Sequence, residues 1–166
     1  KSFFTKAYDS LFARLGATVL YLDTLEADDC IALFTKRIIY DNPTSTDTVH
    51  IIASDHDYMQ LVNDRVCLYD LKFKHVSVNV TNSSKELFLK TVMGDKSDNI
   101  PGIIQRCGIK TATKLYENPD EFKKLLNDNS NAKSQYVLNN KLIDFINIPI
   151  SYSSLTVTIK PCVKVD

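Results

Sequence analysis

Three short apolar, β-branched runs alternate with helical patterns over the first half of the chain, and this alternation leaves few folds open. "ATVLYLD" (17–23) and "TVHIIAS" (48–54) lie on either side of "EADDCIALFTKRIIY" (26–40), whose apolar residues recur at helical spacing. A buried strand that exits into a helix and returns as a second buried strand most simply returns parallel. "RVCLYDL" (65–71) reads as a third strand, reached through a short helix in "DHDYMQLV" (55–62). "KHVSVNV" (74–80) alternates as an edge strand does. The expected fold class is therefore α/β, built on a parallel sheet.

The flanking segments read as helical. Residues 2–14 place Phe3, Phe4, Ala7, Leu11 and Phe12 on one face, with Gly16 able to close the helix. Ser83-Ser84-Lys85-Glu86 has the form of a capping box and opens a helix ending near Met93. "KTATKLYE" (110–117), a helix started by Asn118-Pro119-Asp120-Glu121, and "KSQYVLNNKLIDFI" (133–146) follow. From Pro149 the chain reads as an extended tail. These patterns predict an α/β core over 1–92, a helical subdomain over 93–148 and a tail over 149–166.

No apolar run approaches the roughly 20 residues of a membrane span, and no signal peptide is visible. Cys30, Cys67, Cys107 and Cys162 form no C-x-x-C pair. Their spacing suits neither a zinc site nor a disulfide framework, so reduced thiols in an intracellular protein are expected, whether in cytoplasm, nucleus or a viral replication site.

Net charge is zero, from 20 basic and 20 acidic residues. The acids are not evenly spread. Glu26, Asp28 and Asp29 stand where the first strand hands over to a helix, Asp55 and Asp57 just past the second strand, and Asp95 and Asp98 at the end of a later helix. In open parallel sheets, ligands bind outside the carboxyl ends of the strands. Seven carboxylates converging there would repel one another without cations, and hard oxygen donors suit Mg²⁺ or Mn²⁺. Two such ions can clamp the attacking and leaving oxygens of a phosphodiester.

Each cluster also has a plainer reading: a dipole complement at Asp29, helix caps at Asp55 and Asp57, and a turn at Asp98-Asn99 before a proline. A calcium loop starting at Asp95 is disfavoured, because Ile100 stands where that loop requires glycine. Setting the seven acids aside leaves 20 basic residues against 13 acidic ones, a balance that can attract a phosphate backbone.

Downstream of the last acids, "PGIIQRCGIKTATKLYE" (101–117) joins a glycine-containing turn to a helix opened by Gly108, Ile109, Lys110 and Thr111. Backbone N–H groups at a helix start bind phosphate without reading sequence. Lys110 and Lys114 add positive charge one turn apart. A plain helical hairpin with solvated lysines is the competing reading.

Taken together, "EADD" (26–29), "SDHDYMQL" (54–61), "MGDKSDNIPGI" (93–103) and "GIKTATKL" (108–115) resemble the structure-specific 5′ nuclease family of phage exonucleases, bacterial DNA polymerase I nuclease domains and flap endonucleases. "NNKLIDFINIP" (139–149) is similar to a later helix of that family. The resemblance is to the carboxyl-terminal part only. It implies a PIN-like, 5′ nuclease core followed by a helix–hairpin–helix subdomain. It further implies a two-metal phosphodiesterase acting in DNA replication or repair on 5′ flaps or ends, or on RNA–DNA hybrid, beside replication proteins.

By that resemblance, Glu26 and Asp28 face one metal, with Asp29 nearby. Asp55, Asp57 and Asp98 hold the other, with Asp95 acting through water. Glu26, Asp28, Asp55, Asp57 and Asp98 would be the catalytic set. Gly102, Arg106, Gly108, Ile109, Lys110, Thr111 and Lys114 would grip duplex DNA. K⁺ on the turn's backbone carbonyls is a further implied cofactor, although "GIIQRCGI" is about one residue longer than the family's usual turn.

The family's first strand, its early aspartates and its helical arch have no match in residues 1–166, so full activity is expected to need an amino-terminal segment of the same protein. Two other readings compete. One is a structure-specific DNA-binding fragment without cleavage. The other is a PIN-like RNase, which uses a similar acidic cluster.

Overall fold

The computed structural model describes residues 3, 6–17, 24–41, 43–79 and 82–149. The expected strand at 17–23 and the expected tail after Pro149 therefore fall almost wholly outside the described residues, as does Cys162. The described residues are mostly helical around a small parallel sheet. None of their helices is long and apolar enough to cross a membrane, and Cys30, Cys67 and Cys107 are free thiols.

Helix α1 spans Ala27–Asp41. Strand β1 (Val49–Ile52) pairs in parallel with β2 (Val66–Tyr69), with Val49 opposite Val66 and Ile52 opposite Tyr69. A 3₁₀ turn, His56–Leu61, crosses between them. Ala32, Ile51, Tyr58, Val62, Val66, Leu68 and Phe145 bury one core around this sheet. Each large apolar side chain taken fully out of water contributes about 1.5–3 kcal/mol, which offsets the ordering of so short a sheet.

Four helices follow: α2 (Ser83–Met93), α3 (Ile109–Glu117), α4 (Pro119–Asp128) and α5 (Ser130–Ile143). Leu89, Val92, Ile103, Ala112, Leu115 and Ala132 form a second core. Phe88 meets Tyr116 and Phe122 edge-on at 5.3 and 4.9 Å, and Phe122 meets Tyr136 at 5.1 Å. Such edge-to-face geometry matches the ring quadrupoles. Helix α2 belongs to this second core, so residues on both sides of position 92 pack together.

Three local expectations are corrected. The run 74–80 is not a regular edge strand: His75 makes a single bridge to Tyr69, and Ser77–Asn79 is a 3₁₀ turn. The buried Ser77 Oγ accepts from Leu68 N–H at 2.9 Å, taking the place of a ladder carbonyl. The cap of α2 is Asn82 rather than a serine, its side chain accepting from Lys85 N–H at 3.1 Å. In the amino-terminal segment a π-turn, Ala7–Leu11, runs into Phe12–Arg14, and Phe3 and Leu11 of the supposed apolar face are exposed.

The two cores are tied by polar clamps onto backbone. Gln60 donates to Ile143 O at 3.1 Å and accepts from Phe145 N–H at 3.1 Å. Lys36 Nζ donates to Phe145 O at 2.7 Å. Within the second core the fully buried Asn139 donates to Thr91 O at 2.9 Å and to Pro101 O at 2.8 Å, and accepts from Gln135 at 2.7 Å. It fixes the loop after α2 against α5.

Asn139→Ala should therefore lower unfolding free energy by about 1–3 kcal/mol, since it strands the buried Thr91 carbonyl and removes the bond to Pro101 O. Urea unfolding with unchanged slope would check this, and a loss below about 0.5 kcal/mol would show the carbonyls are satisfied otherwise.

Candidate metal centre

Each acidic cluster is set by a local backbone device. Asp28 and Asp29 sit in the first turn of α1, where the helix dipole favours negative charge. Asp28 Oδ1 accepts from Asp29 N–H at 3.0 Å. Asp55, extended at the end of β1, caps the 3₁₀ turn by accepting from Asp57 N–H at 2.9 Å. The cap and the cluster are thus the same residues, so the two readings of Asp55 and Asp57 are compatible.

The third cluster rides on a closed loop. Asp95 and Ile100 exchange backbone hydrogen bonds at 2.8 and 2.7 Å, and Asp95 Oδ1 accepts from Ser97 N–H at 2.8 Å and from the Ser97 hydroxyl. Asn99 takes φ 58° at the tip. The two glycines flanking the loop are sterically required. A Cβ on Gly94, which has φ 75°, would lie 2.3 Å from Ile100 O, and one on Gly102 would lie 2.7 Å from Met93 O.

These devices bring five of the seven acids together. Carboxylate oxygens of Asp28, Asp55 and Asp57 lie within 4.8 Å of one another, and so do those of Asp57, Asp95 and Asp98. Asp57 belongs to both groups. The grouping differs from the one the resemblance implied: Asp55 lies with Asp28, Asp57 lies with both Asp28 and the Asp95–Asp98 pair, and Glu26 and Asp29 stand outside both groups. Glu26 is exposed and lines, with Asp28, Asp29, Asp57 and Asp98, a cleft of about 240 Å³. Burial first, and then the Asp28 charge, push the Asp29 carboxyl upward. Behind the acids, burial together with Asp28 and Asp55 pushes the Tyr58 phenol up to about 12, so it stays protonated.

Lys90, near the end of α2, was not singled out from the sequence. Its Nζ contacts Asp57 Oδ1 and lies 2.6 Å from Asp95 Oδ2. The Lys90 ammonium, with the Ser97 hydrogen bonds, holds the Asp95 carboxyl down at about 2. A signal was available: so many clustered acids need an internal cation, and Lys90 is the basic residue in the last turn of α2. Lys141 and Asp144, also unremarked, line the 240 Å³ cleft.

The donors are all carboxylate oxygens, grouped in threes, with an ammonium already drawn onto two of them. That chemistry fits a hard divalent cation and offers no soft ligand.

A cavity of about 840 Å³ extends from Asp55, Asp57, Lys90 and Asp95 to Ile109 at the start of α3. Gly108 caps α3 without a side-chain hydrogen bond, and a Cβ there would meet nothing within 4 Å. Ile109, Lys110 and Thr111 are exposed in that first turn. Lys114, one turn on, pairs with Glu121 at 2.7 Å. Arg106 is exposed with φ 57° in the preceding turn, and Gly102 is packed against Met93.

Comparisons with known proteins agree with this architecture. The model of the 5′-3′ exonuclease amino-terminal, resolvase-like domain matches residues 5–91. DNA polymerase I of Treponema pallidum (strain Nichols) is 38% identical over 117 residues, which cover 64% of this chain and 11% of that protein. The 5′-3′ exonuclease of Bacillus subtilis (strain 168) is 32% identical over 127 residues, covering 69% of this chain and 40% of that one. The chain thus spans well under half the length of either relative.

Among solved structures, a bacteriophage T5 protein co-crystallised with metal ions superposes with a TM-score of 0.65 at 22% identity, over 86% of this chain and 59% of that one. A T5 flap endonuclease pseudo-enzyme–product complex with DNA and metal ions gives 0.56 at 21% identity, over 75% and 51%. These likenesses establish the fold.

The depressed Asp95 carboxyl makes a pH prediction for metal-free protein. Its folded value of about 2 lies below the ordinary 3.8. Its stabilisation is therefore complete above about pH 4 and is lost as pH falls through about 2. Asp95→Asn should flatten the acid limb of stability against pH over that window. An unchanged acid limb would show that the Lys90 pair contributes nothing.

Proposed function

We propose, from the premise that the chain belongs to the 5′-3′ exonuclease family, that it is part of a metal-dependent nuclease hydrolysing phosphodiesters at 5′ ends or flaps of DNA. The observation that carries this reading is the pair of carboxylate triads sharing Asp57. Asp28, Asp55 and Asp57 would hold one Mg²⁺, and Asp57, Asp95 and Asp98 a second. Glu26 and Asp29 would act from the rim. When bound, such ions lower the pKa of water and neutralise charge on the leaving oxygen.

The chain's own groups do the positioning. The Asp57 N–H orients Asp55, the Ser97 bonds and Lys90 orient Asp95, and the closed 95–100 loop fixes the backbone that presents Asp98. Water attacks phosphorus and gives a proton to solvent, the P–O bond to the leaving strand breaks, and the departing oxygen takes a proton from solvent. Residues 93–148 would form the duplex-gripping subdomain. The first turn of α3, with Gly108 open to close approach and Lys110 exposed, would take the phosphate backbone, with Arg106 and Thr111 beside it. The 840 Å³ cavity supports this placement, because it joins that turn to the acids. K⁺ on the 102–108 carbonyls would add charge at the same point.

With Mg²⁺ and a 5′-flap duplex, Asp55→Ala and Asp98→Ala should each cut cleavage by about a thousandfold or more, with far-UV circular dichroism unchanged. Unchanged turnover in both would overturn the metal assignment. A full protein, amino-terminal segment included, that bound the flap but never cut it would favour the non-catalytic DNA-binding reading.

Lys110→Ala should weaken duplex binding and reduce the slope of log K against log salt by about one. An unchanged slope would remove Lys110 from the DNA interface.

A further inference from the structure

We infer that Lys90 is the resident cation of the Asp57–Asp95–Asp98 group, exchanged for a divalent ion when that group is loaded and released into the 840 Å³ cavity toward the phosphodiester. This rests on the metal reading of the two triads. Three carboxylates within 4.8 Å are not a stable arrangement in bare form. The Lys90 ammonium bonds two of the three, Asp57 and Asp95. The first group, Asp28, Asp55 and Asp57, has Lys90 on only one of its members.

A divalent ion seeking the second group meets a positive charge already on its ligand oxygens, and must displace it. Displacement is physically open. The lysine stem is flexible, its side chain is 23% exposed, and Lys90 itself lines the larger cavity. Loading is therefore ordered: the Asp28 group binds first and tighter, the Asp98 group second and weaker. The same exchange couples loading to substrate, because the ammonium freed from Asp57 and Asp95 becomes available to a phosphate oxygen in the cavity. A second cation and a substrate contact arrive together, and neither is presented by the metal-free protein.

The test is a Mn²⁺ titration by calorimetry on the wild-type chain, Lys90→Met, Lys90→Arg, Asp28→Asn and Asp98→Asn. The expected wild-type isotherm has two phases. Lys90→Met should tighten the weaker phase by about tenfold or more, since a like charge a few ångströms away is removed. Lys90→Arg should leave it near the wild-type value. Asp98→Asn should abolish the weaker phase, and Asp28→Asn should weaken the tighter one.

Should Asp98→Asn and Asp28→Asn both bind Mn²⁺ as wild type does, the metal reading fails and this inference with it. Should those variants lose binding while Lys90→Met leaves the weaker phase unchanged or weakens it, only the exchange fails, and Lys90 is a positioning residue for its carboxylates. A second readout needs no variant. Reductive methylation followed by mass spectrometry should find Lys90 protected in metal-free protein and reactive at saturating Mn²⁺. Protection that persists on saturation would overturn the exchange.

Discussion

Like-charge crowding is the constraint around which this molecule is arranged. Five carboxylates lie in two groups that share Asp57, and such crowding is unfavourable in any fold that lacks compensation. The compensation is distributed. Asp28 and Asp29 draw on the α1 dipole, Asp55 is spent on a cap, and Asp95 accepts from Ser97 and from Lys90. Lys90 is central, because it reaches across from the second core to Asp57 of the first. One lysine, through two ion pairs, thereby holds together two carboxylates that would otherwise repel each other.

The rest of the architecture keeps that geometry stiff. Gln60 and Lys36 fasten the 143–145 segment to the sheet side, and Asn139 fastens the loop after α2 to α5. All of these clamps bond backbone groups that leave regular structure, where an unpaired carbonyl or N–H would cost most. The interdigitated Gly94 and Gly102 bring the two ends of the acid loop closer than any side chain would permit. A loop so closed presents Asp98 from a fixed frame, which is what charge-selective binding requires.

The surface beyond the acids has different physics. At the start of α3 the glycine at 108 is not demanded by internal sterics, and its φ of −100° is open to any residue. Its value lies in what it leaves uncovered: a helix terminus whose N–H groups face out beside Lys110. Lys114 is partly committed to Glu121, so the basic character of this turn rests more on Lys110 and Arg106 than the lysine spacing alone suggested.

By itself, the sequence determined the element types and the identities of the acids. A parallel sheet, strands near 49–52 and 66–69, helices near 83–93, 109–117 and 119–128, a last helix read at 133–146 and found at 130–143, and the concentration of acids at element ends follow from short-range periodicity, capping and turn chemistry. Edges were less legible where a side chain substitutes for backbone, as Ser77 does for a strand and Asn82 for a serine cap. Only the tertiary structure decided which acids share a cation site. Asp28 meets Asp55 because α1 and the 3₁₀ turn share one core, Ala32 of the helix and Tyr58 of the turn both being buried in it. It also decided that Lys90, distant in sequence from Asp57, is their counter-ion. Those choices depend on long-range packing, which local pattern does not encode.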